Sequence, residues 1–283
     1  MHLRSRRIAT VIALALVTAL AGVHQARAAG ALNIDSCQTL SGGNTTYRLT
    51  ADLTSCGDCL VVAANKITID LQGHSITNTG CPGLNAGISD EESAFDVITV
   101  KNGEVSGYGI GVFLGTSTRV SVLGVTSHDN SNIGIFAGSQ GLVKASEVYN
   151  NAAIGILVGD RGQVQQCNAH HNGDFGIFAL GNNCLITMNF ANFNGFVGID
   201  TGPSNRCTIS YNTASNNAEA GIDAGLLLRG SGHLVTQNIA QDNDGGLDYA
   251  VNCPGAVTNN TSTLGFPTSY ELGSAGCQTV NNN

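Results

Sequence analysis

The phrase "NNAAIGILVGD", running from Asn150 to Asp160, returns along the chain at a nearly constant interval. "DNSNIGIFAGS" begins at Asp129 and "HNGDFGIFALG" at His171. Aligned on the glycine ahead of the apolar strand, the copies fall at Gly111, Gly134, Gly155, Gly176, Gly198, Gly221 and Gly246. The intervals are 23, 21, 21, 22, 23 and 25 residues. A period in this range means a solenoid, because one such unit cannot bury its apolar face alone and stacking buries it.

The units are strands. Ile135 and Ala137, Ile156 and Val158, and Ile177 and Ala179 alternate at every second position. That is the period of an extended chain with one buried face. "LVKASEV", "CLITMNF" and "CTISYNT" alternate likewise earlier or later in each unit. Composition agrees, with 37 glycines, no tryptophan and 11% charged residues. Such a chain is too rich in glycine for a helical protein and too weakly charged for disorder by repulsion.

An asparagine stands four positions before the anchor glycines from Gly134 to Gly221, at Asn130, Asn151, Asn172, Asn194 and Asn217, with Asn243 one place late. Asparagine tolerates tight-turn dihedrals. Stacked coil on coil, the amides are expected to bond along the column.

Repeats of about 22 residues, an asparagine turn and the "GI-x" strands resemble right-handed parallel β-helix proteins of the pectate-lyase-like superfamily. "ITIDLQGHSI", Ile67 to Ile76, resembles the opening coil common in that group. The expectation is an all-β, single-stranded right-handed parallel β-helix of about nine coils with N- and C-terminal caps. Residues 1–28 form a signal peptide, 29–60 an N-terminal cap, 61–264 the β-helix, and 265–283 a C-terminal cap or tail. Caps are expected because both ends of a solenoid expose unpaired strand edges. The scaffold hosts many unrelated activities, so the fold alone does not name a function.

Stacking turns sequence offset into spatial columns. One position after each anchor lies Val112, Ile135, Ile156, Ile177, Ile199, Ile222 or Leu247, expected to point inward. The next position points outward and reads Phe113, Phe136, Leu157, Phe178, Asp200, Asp223, Asp248. The four apolar residues are a candidate ligand-binding stripe, either open or covered by another segment. The three carboxylates, on rungs roughly 5 Å apart, would raise one another's pKa unless a cation neutralises them. A shared proton would supply one acid and one base for glycoside hydrolysis. A Ca²⁺ ion would take oxygens from Asp200, Asp223 and Asp248, with Asp242 and Asp244 of "QDNDGG" as further ligands. The third reading is a solvated acidic edge. The resemblance implies both chemistries: acids on adjacent coils hydrolyse in polygalacturonase-like members, and acids hold Ca²⁺ beside a basic residue in pectate-lyase-like members. The hydrolase group's His and Arg–Lys segments have no match here, and Arg206 and Arg229 are the nearest bases in coil number. His128, in "SHDN", shares a turn column with Tyr149 and His170, and reads as a turn residue rather than a ligand. Adjacent His170 and His171 are expected to face opposite sides.

"MHLRSRR", an apolar core and "ARA" at Ala26–Ala28 read as a secretory signal. Its removal takes four arginines and leaves eight basic against 20 acidic side chains, a net charge of −12. That balance disfavours nucleic acid and anionic membrane, and no later stretch is apolar enough to span a bilayer.

The nine cysteines all follow the cleavage site, so disulfides are expected. Cys184 and Cys207 share an offset on adjacent coils; Cys59 with Cys81, Cys253 with Cys277 and Cys37 with Cys56 are the other expected pairs, leaving Cys167 free. Together these features predict a secreted, periplasmic or cell-surface β-helix that binds a polysaccharide or a surface protein along an outer face. The alternative is a polysaccharide lyase, hydrolase or epimerase acting on an acidic polysaccharide.

Overall fold

A computed structural model describes residues 30–283, apart from 82, 225–229, 245–246, 264–269 and 273–275. The signal-peptide segment, the anchor Gly246 and the base Arg229 therefore lie outside the described residues. All regular structure among the described residues is β, and every strand pairing given by register is parallel.

Each coil lays one strand on each of three faces. The first face carries the "GI-x" strands in an eleven-stranded sheet running from Gln38–Leu40 to Tyr270–Leu272. The second face carries the short strands that follow, such as Leu142–Lys144 and Gln163–Gln165. The third carries Glu147–Tyr149, Asn168–His170 and their stack. The long strands Ile98–Ser106 and Ser121–His128 run through the corner between the second and third faces and join them into one twenty-stranded sheet.

The alternation in sequence becomes the core. Ile135, Ile156, Ile177, Ile199 and Ile222 stack inward on the first face with no exposure. Val143, Val164, Ile186 and Ile209 do so on the second, and Ala169, Ala191, Ala214 and Ala240 on the third. Burial of this continuous apolar stripe is the main stabilising term, since neighbouring coils supply each other's missing interior.

Corners are made by left-handed residues. Arg161, Gln166 and His171 bend one coil with φ of 56°, 56° and 55°, and Arg206, Tyr211 and Asn216 repeat the bends at 56°, 58° and 56°. Left-handed backbone costs a non-glycine residue about 1–2 kcal/mol. Buried asparagines offset this at two of the corners. Asn130, Asn151, Asn172, Asn194, Asn217 and Asn243 form the expected column, each Nδ2 reaching the next Oδ1 at 2.8–3.1 Å. A second column, Asn189, Asn212, Asn238, Asn260 and Asn282, bonds at 3.0–3.2 Å.

The anchor glycine answers to the first column. A Cβ on Gly155 would lie 2.6 Å from Asn172 Nδ2 and 2.6 Å from the carbonyl oxygen of Gly176. Only a residue without a side chain leaves the amide its place.

The helix begins earlier than the spacing anticipates. Within the expected cap at 29–60, Gln38–Leu40, Thr45–Leu49 and Leu53–Ser55 stack as a full coil on Leu60–Val62, Ile67–Asp70 and Ser75–Asn78. Ala31–Ile34 adds one more strand beyond them on the second face. In 265–283, Tyr270–Leu272 and Cys277–Val280 likewise continue the first and second faces. About ten turns result, close to the nine expected.

Four disulfides staple adjacent coils. Cys184–Cys207 and Cys253–Cys277 form as expected, with Cα separations of 4.5 and 5.1 Å. The N-terminal pairing is corrected: Cys37 joins Cys59 and Cys56 joins Cys81, at 4.5 and 5.2 Å. Cys37 and Cys59 are also one coil apart, and the extra N-terminal coil makes them neighbours. Cys167 is free and buried at the head of the second asparagine column, where its backbone N–H donates to Asn189 Oδ1 at 2.9 Å. Burial pushes its thiol up to about 11.

Candidate functional site

The outward column of the first face holds in register from Phe113 to Asp223: Phe113 opposite Phe136, Phe136 opposite Leu157, Leu157 opposite Phe178, Phe178 opposite Asp200, and Asp200 opposite Asp223. The column is neither open nor sealed. Phe113, Phe136 and Phe178 are half-buried and Leu157 is buried. The Phe136 ring leans over the neighbouring coil, within 2.5 Å of where a Cβ on Gly115 would stand, so this glycine makes room for the ring.

Two further rings close one side. Phe175, in the turn before its strand, stacks on Phe178 with centroids 4.7 Å apart, and Phe196, in the next turn, meets Phe175 edge-on at 5.3 Å. Neither falls in a strand column, because both lie in turns, where alternation has no meaning; "DF" before Gly176 and "NGFV" before Gly198 are their only trace in the sequence. The result is an aromatic trough that ends at the two aspartates.

Asp200 and Asp223 depart from the expectation of solvated carboxylates. They are 2% and 0% exposed. Their strands are direct neighbours. Burial first, and the charge of Asp223 second, push Asp200 up to about 7, against the pull of a hydrogen bond from the Gly202 N–H. Near neutral pH Asp200 is therefore close to half-protonated beside the second carboxyl.

Asp248 is not the third member. The turn from Asn243 to Leu247 is one residue longer than that from Asn217 to Ala220, so Leu247 pairs with Ala220 and Ala250 takes the place opposite Asp223. Asp248 keeps its face but moves two positions along the strand, into the anchor-glycine rung. There it is 1% exposed, its Oδ1 accepts from Asn243 Nδ2 at 2.8 Å, and its Oδ2 accepts from the Ser262 hydroxyl. Asp242 and Asp244 are exposed in the preceding turn, where Asp242 N–H donates to Thr263 Oγ1 and Asp244 N–H to the Asn217 carbonyl.

These positions do not fit the five-carboxylate Ca²⁺ site. A calcium ion takes six to eight oxygens. Only Asp200 and Asp223 are brought together here. Among the described residues, no group of three or more His, Cys, Asp or Glu side chains is placed to hold a metal ion.

The base Arg206 occupies a corner turn with φ 56° and is exposed. Arg229 lies outside the described residues. Near the other end of the trough, Asp90 is fully buried after the strand Ala86–Ser89, and its Oδ2 accepts from Thr116 Oγ1 at 2.8 Å and from Ser117 N–H at 3.0 Å and Oγ at 2.9 Å. It ties two coils at a corner.

The third face presents a different surface. His128, Tyr149 and His170 stack at 4.8 and 5.2 Å with ring planes within 2° of parallel. Glu104 and Asp129 accept from the two nitrogens of His128 at 3.1 and 2.7 Å and help raise its pKa against the opposing effect of burial. His170 and His171 do not face opposite sides: their Nδ1 atoms are 2.9 Å apart, because His171 is a left-handed corner residue and strand alternation stops before it. Phe190 on this face and Met188, Phe193 and Tyr211 at the corners on either side of it are 49–57% exposed.

Among the described residues, no helix is long and apolar enough to cross a membrane. No curated protein matches the chain in sequence. The fold is similar to the A-module of the Azotobacter vinelandii mannuronan C-5 epimerase AlgE6, with TM-score 0.61 and 15% identity over 91% of this chain and 85% of that one. It is similar to the pectate lyase Pel9A, with TM-score 0.55 and 18% identity over 90% and 68%. A third likeness is to the Dettilon tailspike protein, with TM-score 0.61 and 16% identity over 88% and 61%. At such identities the likeness is one of fold. Residues 136–283, just over half the sequence, match the family described as a right-handed β-helix region. The chain belongs to the right-handed β-helix family.

Proposed function

We propose that the protein is exported and binds a polysaccharide along the first face, in the trough floored by Phe113, Phe136, Leu157 and Phe178. The observation that carries this reading is the register of those four side chains on successive rungs, ending at a buried carboxyl pair. Aromatic faces repeated at about 4.8 Å offer apolar platforms at a spacing close to the ring repeat of an extended glycan. The named activities of similar folds, epimerisation of mannuronan and lysis of pectate, support a glycan as the ligand class. Four disulfides and a signal-like N-terminus support export to an oxidising compartment.

A second reading, that the protein also cleaves the glycan, is favoured by one observation. Asp200, pushed up to about 7, is a carboxyl able to give or take a proton near neutral pH, with a second carboxyl, Asp223, on the next rung. Hydrolysis of a glycosidic bond requires such a pair.

The test is a binding screen of the mature chain against soluble polysaccharides, repeated with Phe178→Ala and with Phe190→Ala. Phe178→Ala is expected to weaken binding by about tenfold or more, and Phe190→Ala, on the third face, to leave it unchanged. Equal losses in both would place the ligand elsewhere. Release of reducing ends by wild type but not by Asp200→Asn would establish the second reading.

A further inference from the structure

We infer that the glycan held in the trough is uncharged, and that this face excludes the polyuronates named for the similar epimerase and lyase. The inference rests on the trough being the glycan site.

Among the described residues, no Lys or Arg lies on any strand of the eleven-stranded sheet. Arg48, Lys101 and Lys144 belong to second-face strands. Of the corner bases, Arg119 is paired with Asp96, Arg161 lies 3.8 Å from Asp160, and Lys66 and Arg206 are exposed. Acids outnumber these bases around the same sheet. Asp174 is exposed in the turn beside Phe175, Glu219 is half-buried in the turn before Asp223, and Glu271 is exposed two rungs beyond Asp223. Glu91 and Glu92 are exposed at the far end. Counting Arg229 as well, the chain after residue 28 has eight bases to 20 acids, so one further cation does not reverse the sign. A polyuronate carries a carboxylate on each sugar and would meet a field of its own sign.

Calcium could join acidic protein to acidic glycan, but the donors for it are not assembled. Asp248 is committed to Asn243 and Ser262, and Asp242 and Asp244 sit in the turn. Asp200 and Asp223 are buried together, and among the described residues no third carboxylate joins them toward the six to eight oxygens that calcium takes.

Phe113, Phe136, Leu157 and Phe178, walled by Phe175 and Phe196, present hydrocarbon and aromatic faces. Such faces suit the C–H side of neutral, deoxy or acylated sugars. A carboxylate placed there would lose hydration with no donor to replace it.

The experiment measures binding of the full mature chain to neutral polysaccharides (a galactomannan, a xyloglucan and a deoxyhexose-rich glycan) and to alginate and polygalacturonate. Each is measured with Ca²⁺ and with chelator, between about 20 and about 200 mM salt. The expected result is binding of at least one neutral glycan, insensitive to Ca²⁺ and changed less than about twofold by salt, with polyuronates weaker by about tenfold or more. Asp174→Lys, an exposed change beside the trough, is expected to bring polyuronate binding up while leaving neutral binding in place. Preference for a polyuronate, or a need for Ca²⁺, overturns the inference and leaves the glycan reading standing. Failure of every glycan to bind removes both.

Discussion

The side-chain amide of Asn243 donates to Asp248 Oδ1 at 2.8 Å, and this contact ends the asparagine column that runs through six coils from Asn130. In every coil before it, the acceptor is the next asparagine. In the last, the extra turn residue carries an aspartate into the glycine rung, and its carboxylate takes the amide proton instead. Asp248 is a terminator of the ladder, and the carboxyl pair at the trough is Asp200 and Asp223 alone.

Removing the terminator should therefore cost stability and nothing else. Asp248→Ala leaves a buried amide N–H without its acceptor, a penalty of about 1–3 kcal/mol. Asp248→Asn keeps an acceptor oxygen and should cost less. Urea unfolding of the two variants checks the order, and glycan binding should be unaltered in both.

Inside the ladder the cost rises. Asn194 accepts from the N–H and Nδ2 of Asn172 and donates to the Ala169 carbonyl and Asn217 Oδ1, at 3.0–3.2 Å. Asn194→Ala orphans groups on both neighbouring coils and should cost at least about 3 kcal/mol. Gly155→Ala should be comparably severe, since its new methyl would sit 2.6 Å from Asn172 Nδ2 and from a backbone oxygen. Chemical denaturation of either variant tests this, and a loss below about 1 kcal/mol would show that the ladder yields more easily than its geometry implies.

Much of this was legible in the sequence, and the reason is periodicity. A repeat of 21 to 23 residues placed Gly134, Asn151 and Ile156 on their rungs, and kept Phe113 through Asp223 in one true column. What escaped lies where the period breaks. The turn "QDNDGG" gains one residue, so counting from Gly246 put Asp248 beside Asp223, two positions from its real place. Phe175 and Phe196 sit in turns, where strand alternation says nothing about direction. Burial of Asp200 and Asp223 was hidden for another reason: an outward position on a strand can still be covered by neighbouring turns, and no offset reports that. Cys37 and Cys59 were separated because the first coil carries no "GI" phrase to mark it.

Two buried groups set opposing pH dependences. Burial and Asp223 raise Asp200 from 3.8 to about 7, so between those values the folded chain holds a proton that the unfolded chain lacks, and stability falls as pH rises. Burial lowers His233 from 6.5 to about 4, so there the unfolded chain holds the extra proton, and stability rises with pH. Each slope is at most about 1.4 kcal/mol per pH unit, and the two oppose between about pH 4 and 6.5. Asp200→Asn should remove one of them. Its stability relative to wild type should climb steadily from about pH 4 to about pH 7 and then level off. Denaturation midpoints across that range provide the check, and a constant offset would mean that Asp200 titrates normally.

Cys167 should be inert in the folded chain. It is buried, with its thiol pushed up to about 11. A thiol reagent should find nothing in the native protein and one thiol per chain after unfolding without reductant. Non-reduced peptide mapping should return Cys37–Cys59, Cys56–Cys81, Cys184–Cys207 and Cys253–Cys277.

The trough on the first face is tested most directly by hydrogen–deuterium exchange on the mature chain, with and without a saturating polysaccharide taken from the binding screen. Protection should appear in the turns that carry Phe175 and Phe196 and in the segments just after Ile133–Ala137, Ile156–Val158 and Ile177–Ala179, with the third-face corners at Met188, Phe193 and Tyr211 unchanged. Protection confined to those third-face corners, with the first face exchanging as in the free protein, would contradict it.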